Sequence, residues 1–258
     1  MTKSVDCHFS VEGSGPPLFL IHGIGAAKDA WRFIVPKLSK HFSVITYDLR
    51  GHGKSLVTHK NFNLDELVED LERVREKTKF NKAHFAGHSL GGMIAPAYAI
   101  KFPHRVLSLC LLSTVAGRTK EDSEKVWNVV HAMEKDGIEK TLITLTNRWF
   151  TDDFIKNNSD LVQQRLKQVV NTDPKVFLNV FRIYAKTEMA PWLEKITAPS
   201  LILTGELDSG CNPRLNRLIA EKLPNSKLVI LDNLKHSILL EAPERVAEQV
   251  KKFLLNYL

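Results

Sequence analysis

A serine held between glycines, followed far along the chain by an aspartate and then a histidine, is the set of residues whose types and spacing promise chemistry. Gly87-His88-Ser89-Leu90-Gly91-Gly92 follows a short apolar run and leads into an apolar helical pattern. Glycines two residues before and after a serine permit a tight, strained strand-to-helix turn that lifts the hydroxyl above a sheet edge. The pentapeptide alone is a weak signal, since an incidental serine in a glycine-rich turn fits it too. The strand and helix patterns on either side are what favour a nucleophile.

A serine hydroxyl is a poor nucleophile near neutral pH and needs a base that is itself oriented by a carboxylate. After the run Leu201 to Thr204 comes Gly205-Glu206-Leu207-Asp208, and after Leu228 to Leu231 comes Asp232-Asn233-Leu234-Lys235-His236. Asp208 and His236 therefore follow Ser89 in the order, and on the loops, that this chemistry uses. Glu206 competes for the role of the acid from the same loop, but the shorter side chain further along fits better. Of the other nine histidines, His8, His41, His59, His84, His104 and His131 have no motif around them. His22 and His52 precede the serine. His88 adjoins it, and the turn is expected to aim its ring away.

Charge that develops on a carbonyl oxygen under attack needs hydrogen-bond donors, and two backbone N–H groups suffice. His22-Gly23-Ile24-Gly25 follows the first central strand, so Ile24 is expected to supply one donor and Leu90, after the nucleophile, the other. Asp48-Leu49-Arg50-Gly51-His52-Gly53-Lys54-Ser55 forms another glycine-bearing turn, read as a loop braced by Asp48 and Arg50 beside the site.

The elements that must position these residues are visible in the hydrophobic pattern. Apolar runs at Leu18 to Ile21, Ser43 to Tyr47, Ala83 to Ala86, Val106 to Leu112, Leu201 to Thr204 and Leu228 to Leu231 alternate with helical spacing, as in a parallel sheet with crossover helices. Val5, Cys7, Phe9 and Val11 alternate with polar residues and read as an antiparallel edge strand. Helices are expected at Leu64 to Lys77, Gly91 to Lys101 and Pro243 to Leu255. Between Thr114 and Ser200 no strand stands out, but Ile138, Leu142, Leu145 and Trp149, then Val176, Val180, Phe181 and Tyr184, recur at helical spacing. So long a loop without structure is improbable in a compact domain. The expected organisation is an α/β core from residues 1–115 and 191–258 with a helical cap at 116–190.

The chain has 258 residues, 43% hydrophobic and 25% charged, which excludes disordered and fibrous classes. Its longest nearly uncharged apolar run, Val106 to Gly117, is too short for a membrane span, and the amino terminus lacks a secretory pattern. A cytoplasmic protein without membrane contact is expected. Three widely spaced cysteines read as reduced thiols. The net charge of +7 is interleaved with acids and forms no basic arm, so no nucleic-acid partner is expected. No metal or organic cofactor is required. The expected partner is a small-molecule ester or lactone; the motifs carry no oligomeric state.

His-Gly-Ile-Gly at His22, Asp-x-Arg-Gly-x-Gly-x-Ser at Asp48, Gly-His-Ser-Leu-Gly-Gly at Gly87, Gly-Glu-Leu-Asp at Gly205 and His-x4-Glu-x-Pro from His236 through Glu241 to Pro243 resemble the α/β-hydrolase superfamily, in order and across nearly the whole chain. The resemblance implies an eight-stranded, mostly parallel sheet with helices on both faces and a helical cap inserted after the sixth strand. Gly-Gly-Met-Ile-Ala from Gly91 and Arg148-Trp149-Phe150-Thr151 are similar to 3-oxoadipate enol-lactonases, on two short stretches only. One residue departs from the family pattern: the position before the histidine is commonly small and is Lys235 here, where an ammonium would lower the imidazole pKa.

These readings converge on a serine hydrolase of an ester or lactone, with Ser89 as nucleophile, His236 as base, Asp208 as its orienting acid, and the N–H groups of Ile24 and Leu90 as the oxyanion hole. Trp127, Arg148, Trp149 and Arg118 are the cap candidates for substrate contact. A carbon–carbon bond hydrolase or a cofactor-free perhydrolase would use the same triad. A non-catalytic ligand receptor on this fold would have no need of all three groups. An aspartate-nucleophile dehalogenase or epoxide hydrolase is excluded by the serine at position 89.

Overall fold

Strands whose apolar residues run without interruption must be covered on both faces, and the computed structural model shows this arrangement. It describes residues 4–57 and 61–257; His59 lies outside them. Among these residues the strands are β1 (Phe9–Glu12), β2 (Pro17–Ile21), β3 (Ser43–Tyr47), β4 (Ala83–His88), β5 (Val106–Leu112), β6 (Ser200–Gly205) and β7 (Ser226–Leu231). They lie side by side in the order β1-β3-β2-β4-β5-β6-β7, all parallel except β1, which runs antiparallel to β3.

The helices are α1 (Val35–Leu38), α2 (Leu64–Thr78), α3 (Gly91–Lys101), α4 (Lys120–Asp136), α5 (Ile138–Trp149), α6 (Asp152–Asn157), α7 (Ser159–Val170), α8 (Pro174–Lys186), α9 (Pro213–Lys222), α10 (Ile238–Glu241) and α11 (Pro243–Leu254). Alternate strand residues feed two cores. Phe19, Ile21, Phe85, Leu109 and Ile202 pack with α2, α3 and α9 on one face. Leu18, Leu20, Ala86, Cys110 and Leu203 pack with α1 and α11 on the other. No helix among the described residues is long and apolar enough to cross a membrane.

Two expectations about the sheet are corrected. It has seven strands among the described residues, not eight, and the long helical interval, α4 to α8, follows the fifth strand rather than the sixth. The first half of the alternating amino-terminal stretch also makes no strand. Two of its backbone donors go to side chains: Val5 N–H donates to Asp70 Oδ1 at 2.7 Å and His8 N–H to Ser55 Oγ at 2.9 Å. With those donors spent, only Phe9–Glu12 remains to pair with β3.

The chain leaves β2 toward β3 on one side and later returns to β4 on the other. Such a reversal opens a crevice beyond the carboxyl ends of the two central strands. The turn at Ser89 and the loop His22 to Gly25 both lie there.

Candidate active site

The turn after β4 is a strained one. Ser89 has φ of +57°, a left-handed conformation that costs a non-glycine residue about 1–2 kcal/mol. Its N–H donates to the Leu112 carbonyl at 2.9 Å, and its own carbonyl accepts from Thr114 Oγ1 at 3.0 Å, which holds the strain in place. A Cβ on Gly87 would sit 2.0 Å from the Gly91 carbonyl oxygen, so the strand-to-helix reversal closes only with glycine there. The hydroxyl-bearing residue stays 7% exposed, at the wall of a cavity of about 350 Å³ that His236, Asp208, Ile24 and Trp149 also line.

The structure brings Asp208 and His236 together. His236 Nδ1 lies 2.7 Å from Asp208 Oδ2, with the histidine side chain 15% exposed and the aspartate 1%. Asp208 Oδ1 accepts the N–H groups of Gly210 and Cys211, at 3.0 and 2.8 Å, so the carboxylate cannot swing away. Glu206 takes no part: it is exposed and accepts the N–H of Asn233 at 3.1 Å. Burial works to discharge the imidazole, but the adjacent Asp208 carboxylate outweighs it, with Cys211 acting in the same direction, so the His236 pKa is raised.

Lys235 does not have the effect expected from its position. Its Nζ donates to the Asn147 carbonyl at 2.9 Å and reaches Asp152 Oδ1 at 3.3 Å, on the cap, and the imidazole is not depressed. A base with a raised pKa must lose its proton before it can act. The value of kcat/KM on a neutral ester is therefore expected to climb with pH through an acid limb lying above the ordinary histidine value of about 6.5. A limb below that value in a pH–rate profile would contradict this.

The loop that carries Ile24 is set by histidine rings. Gly23 packs so closely on Ser89 that a Cβ there would lie 3.0 Å from its Cβ. His22 Nδ1 donates to the Gly23 carbonyl at 2.8 Å while its Nε2 accepts Leu49 N–H at 2.9 Å, which fixes one neutral tautomer. Burial pushes its pKa down to about 4. In a trans peptide the N–H points opposite the carbonyl, so pinning Gly23 C=O turns Ile24 N–H the other way. Neither Ile24 N–H nor Leu90 N–H has a hydrogen-bond partner among the described residues. Leu90 also heads the 11-residue α3, where the helix dipole favours negative charge.

The loop after β3 is braced as read from the sequence. Arg50 makes a two-pronged bond to the buried Asp70, 2.5 and 2.7 Å. Asp48 accepts the N–H groups of Lys28 and Lys54 at 2.7 and 3.0 Å. His88 is a correction. Its ring is not aimed away but sits 4.9 Å from the His236 ring, donating Nε2–H to the His236 carbonyl at 3.0 Å, and burial pushes its pKa down to about 3. A neutral donor there braces the backbone of His236.

The cap candidates divide. Arg148 and Trp149 line the cavity. Arg118 does not: its guanidinium caps α8 by donating to the carbonyls of Tyr184, Ala185 and Thr187, and it stacks on the Tyr184 ring. Trp127 packs against the core and His131 away from the cavity wall. Sequence reasoning missed Arg165, Tyr184 and Cys211, which also line it. No motif marks them, and only the seating of α7 and α8 over the sheet brings the two cap residues in. The family stretches at Thr151 and Glu241 meet each other: Thr151 Oγ1 donates to Glu241 Oε2 at 2.6 Å, and Ser237 N–H donates to the Trp149 carbonyl at 2.9 Å. These bonds tie the end of α5 to the segment that carries His236.

Comparison with known proteins agrees with this geometry. A family model described as alpha/beta hydrolase fold matches residues 16–182. The chain is 27% identical over 244 residues to 3-oxoadipate enol-lactonase 1 of Acinetobacter baylyi, covering 94% of this chain and 90% of that protein. It is 26% identical over 257 residues to (E)-2-((N-methylformamido)methylene)succinate hydrolase of the same organism, covering 98% and 96%. Among solved structures, the enol-lactonase from Burkholderia xenovorans LB400 superposes with a TM-score of 0.91 at 24% identity, over 98% of this chain and 99% of that one.

Proposed function

The chain belongs to the alpha/beta hydrolase fold family, and on that premise we propose that it is a serine hydrolase of carboxylic esters or lactones. The observation that carries the reading is the 2.7 Å pairing of His236 with Asp208 in the same cavity wall as a serine held at a left-handed φ. In this reading residues 116–190 form a cap over machinery supplied by 1–115 and 191–258. His236 Nε2 takes the Ser89 proton as the oxygen attacks the acyl carbon, and Asp208 keeps the proton on Nδ1 and stabilises the imidazolium. The N–H groups of Ile24 and Leu90 receive the oxyanion. Collapse expels the alcohol, or opens the lactone, with the proton returned by His236. Water then repeats the sequence on the acyl-enzyme.

Within that class an acidic lactone of the 3-oxoadipate enol-lactone kind is favoured by Arg148. It faces the cavity and makes no ion pair or hydrogen bond among the described residues, while the neighbouring Asp152 is engaged by Lys235. Both relatives above carry dicarboxylate names, and a guanidinium is the side chain best shaped to hold a carboxylate. A desolvated charged partner is worth about 2–5 kcal/mol, and the exposure of Arg148 keeps its share at the low end. Arg148→Ala is expected to lower kcat/KM for acidic lactones by roughly ten- to thirtyfold and to leave neutral p-nitrophenyl esters almost unchanged. An equal loss on both substrate types, or none on either, would remove the acidic-lactone reading.

A further inference from the structure

Arg165 is a half-buried cation with an unusual set of partners. From α7 its guanidinium crosses to the loop after β2, where Nη1 donates to the Gly25 carbonyl and Nη2 to the Ile24 carbonyl at 2.9 Å. Its central carbon lies 5.0 Å from the centre of the Trp149 ring, and its open side faces the cavity. No carboxylate among the described residues pairs with it. The acid whose charge reaches it, Asp29, instead accepts Gln168 Nε2 at 2.8 Å. A guanidinium taken from water without an ion pair is costly, and the two carbonyls that offset the cost belong to the loop that carries Ile24 N–H.

The Ile24–Gly25 peptide is consequently held at both edges. Its N–H, that of Gly25, donates to His52 Nε2 at 3.3 Å, and its carbonyl accepts from Arg165. His52 is itself fixed by its Nδ1 bond to the Arg50 carbonyl at 3.0 Å. The preceding peptide is held by His22 through the Gly23 carbonyl. His22 and His52 come from the sheet side, and only Arg165 comes from the cap. The Trp149 ring on which Arg165 stacks belongs to the residue whose carbonyl accepts Ser237 N–H beside the base. The cap thus touches both halves of the machinery, and Arg165 is its hydrogen-bonded contact with the oxyanion half, beside the packing of Val169 and Phe177 on Gly25.

We propose that Arg165 is a positioning residue that ties the cap helix α7 to the oxyanion loop, so that seating the cap completes the hold that His22 and His52 begin on the segment carrying the Ile24 N–H. The proposal rests on the assignment of Ser89 as nucleophile and Ile24 N–H as oxyanion donor. An oxyanion donor contributes because it is oriented before charge develops, and a small misplacement forfeits much of its effect.

The test uses the full-length protein, Arg165→Met and Arg165→Lys, a neutral p-nitrophenyl ester, a fluorophosphonate, and a trifluoromethyl ketone that forms a tetrahedral adduct on the serine. A neutral substrate removes any direct pull of the guanidinium on a carboxylate. Loss of a whole oxyanion donor costs about 10²–10³ in kcat, so a mispositioned one is expected to cost roughly 10- to 100-fold. That loss should appear in kcat, in the phosphonylation rate of Ser89 and in trifluoromethyl ketone affinity, with KM for the neutral ester little changed. Lysine, which lacks the planar fork, should restore only a small part. A folded variant of either kind with kcat, phosphonylation and ketone affinity like the parent protein would overturn the proposal. So would a loss confined to KM. Failure of the parent protein to be phosphonylated at Ser89 would overturn the underlying assignment, a separate result read before any variant is made.

Discussion

Ser89→Ala is expected to lose on the order of 10⁶ in turnover on any ester or lactone the parent protein cleaves, as removal of a triad serine does elsewhere. The magnitude follows from the chemistry: without the hydroxyl no acyl-enzyme forms, and what remains is the roughly 10³–10⁴ over water that the oxyanion donors and binding supply alone. Stability should hardly change. The substitution removes one oxygen at a residue whose backbone bonds, from N–H to Leu112 and from the carbonyl to Thr114 Oγ1, stay in place. The left-handed φ of +57° burdens alanine as it does serine. Steady-state kinetics beside a thermal melt separates the two quantities, and near-normal turnover in a folded Ser89→Ala would remove serine from the mechanism.

The second large effect divides two acids on one loop. Asp208→Asn is expected to cost roughly 10⁴ in turnover, because an amide at this place favours the wrong imidazole tautomer while keeping the shape. Glu206→Gln should cost less than about tenfold, since its carboxylate is exposed and bonded to Asn233 N–H, with no contact to the imidazole. The cause lies in the loop. Asp208 is drawn inward by two N–H groups, of Gly210 and Cys211, that face its Oδ1. A larger loss in Glu206→Gln than in Asp208→Asn would reverse the assignment.

Much of this arrangement is legible in the sequence because it is local. The turn at Gly87 to Gly92 announces itself through glycines that only a close reversal needs, and the runs Ser43–Tyr47 and Val106–Leu112 match β3 and β5 residue for residue. Buried parallel strands leave that mark because both faces are apolar. Helices α5 and α8 show in their spacing for the same reason, with Leu142, Leu145, Val176 and Val180 buried. Helices α4 and α7 do not, since each buries only two residues, Val130 with Met133 and Val162 with Val169, on an otherwise polar surface. What depends on distant seating was also out of reach. Arg118 and Arg165 both fall in the helical interval after β5, yet one ends α8 by bonding its last carbonyls and the other reaches a loop 140 residues earlier. Lys235 misled because adjacency along the chain is not adjacency in space: its ammonium leaves the imidazole for the Asn147 carbonyl.

The central claim is that Ser89 becomes covalently bound, and the most direct test is to look for the bond. The protein is incubated with a fluorophosphonate, its intact mass is measured, and the proteolytic peptides are sequenced by mass spectrometry. The account predicts one adduct per chain, located on Ser89, absent in Ser89→Ala and slowed in Asp208→Asn. Labelling at another residue, or no labelling of a folded parent protein, would contradict it and leave a ligand-binding role on the hydrolase fold as the reading to pursue.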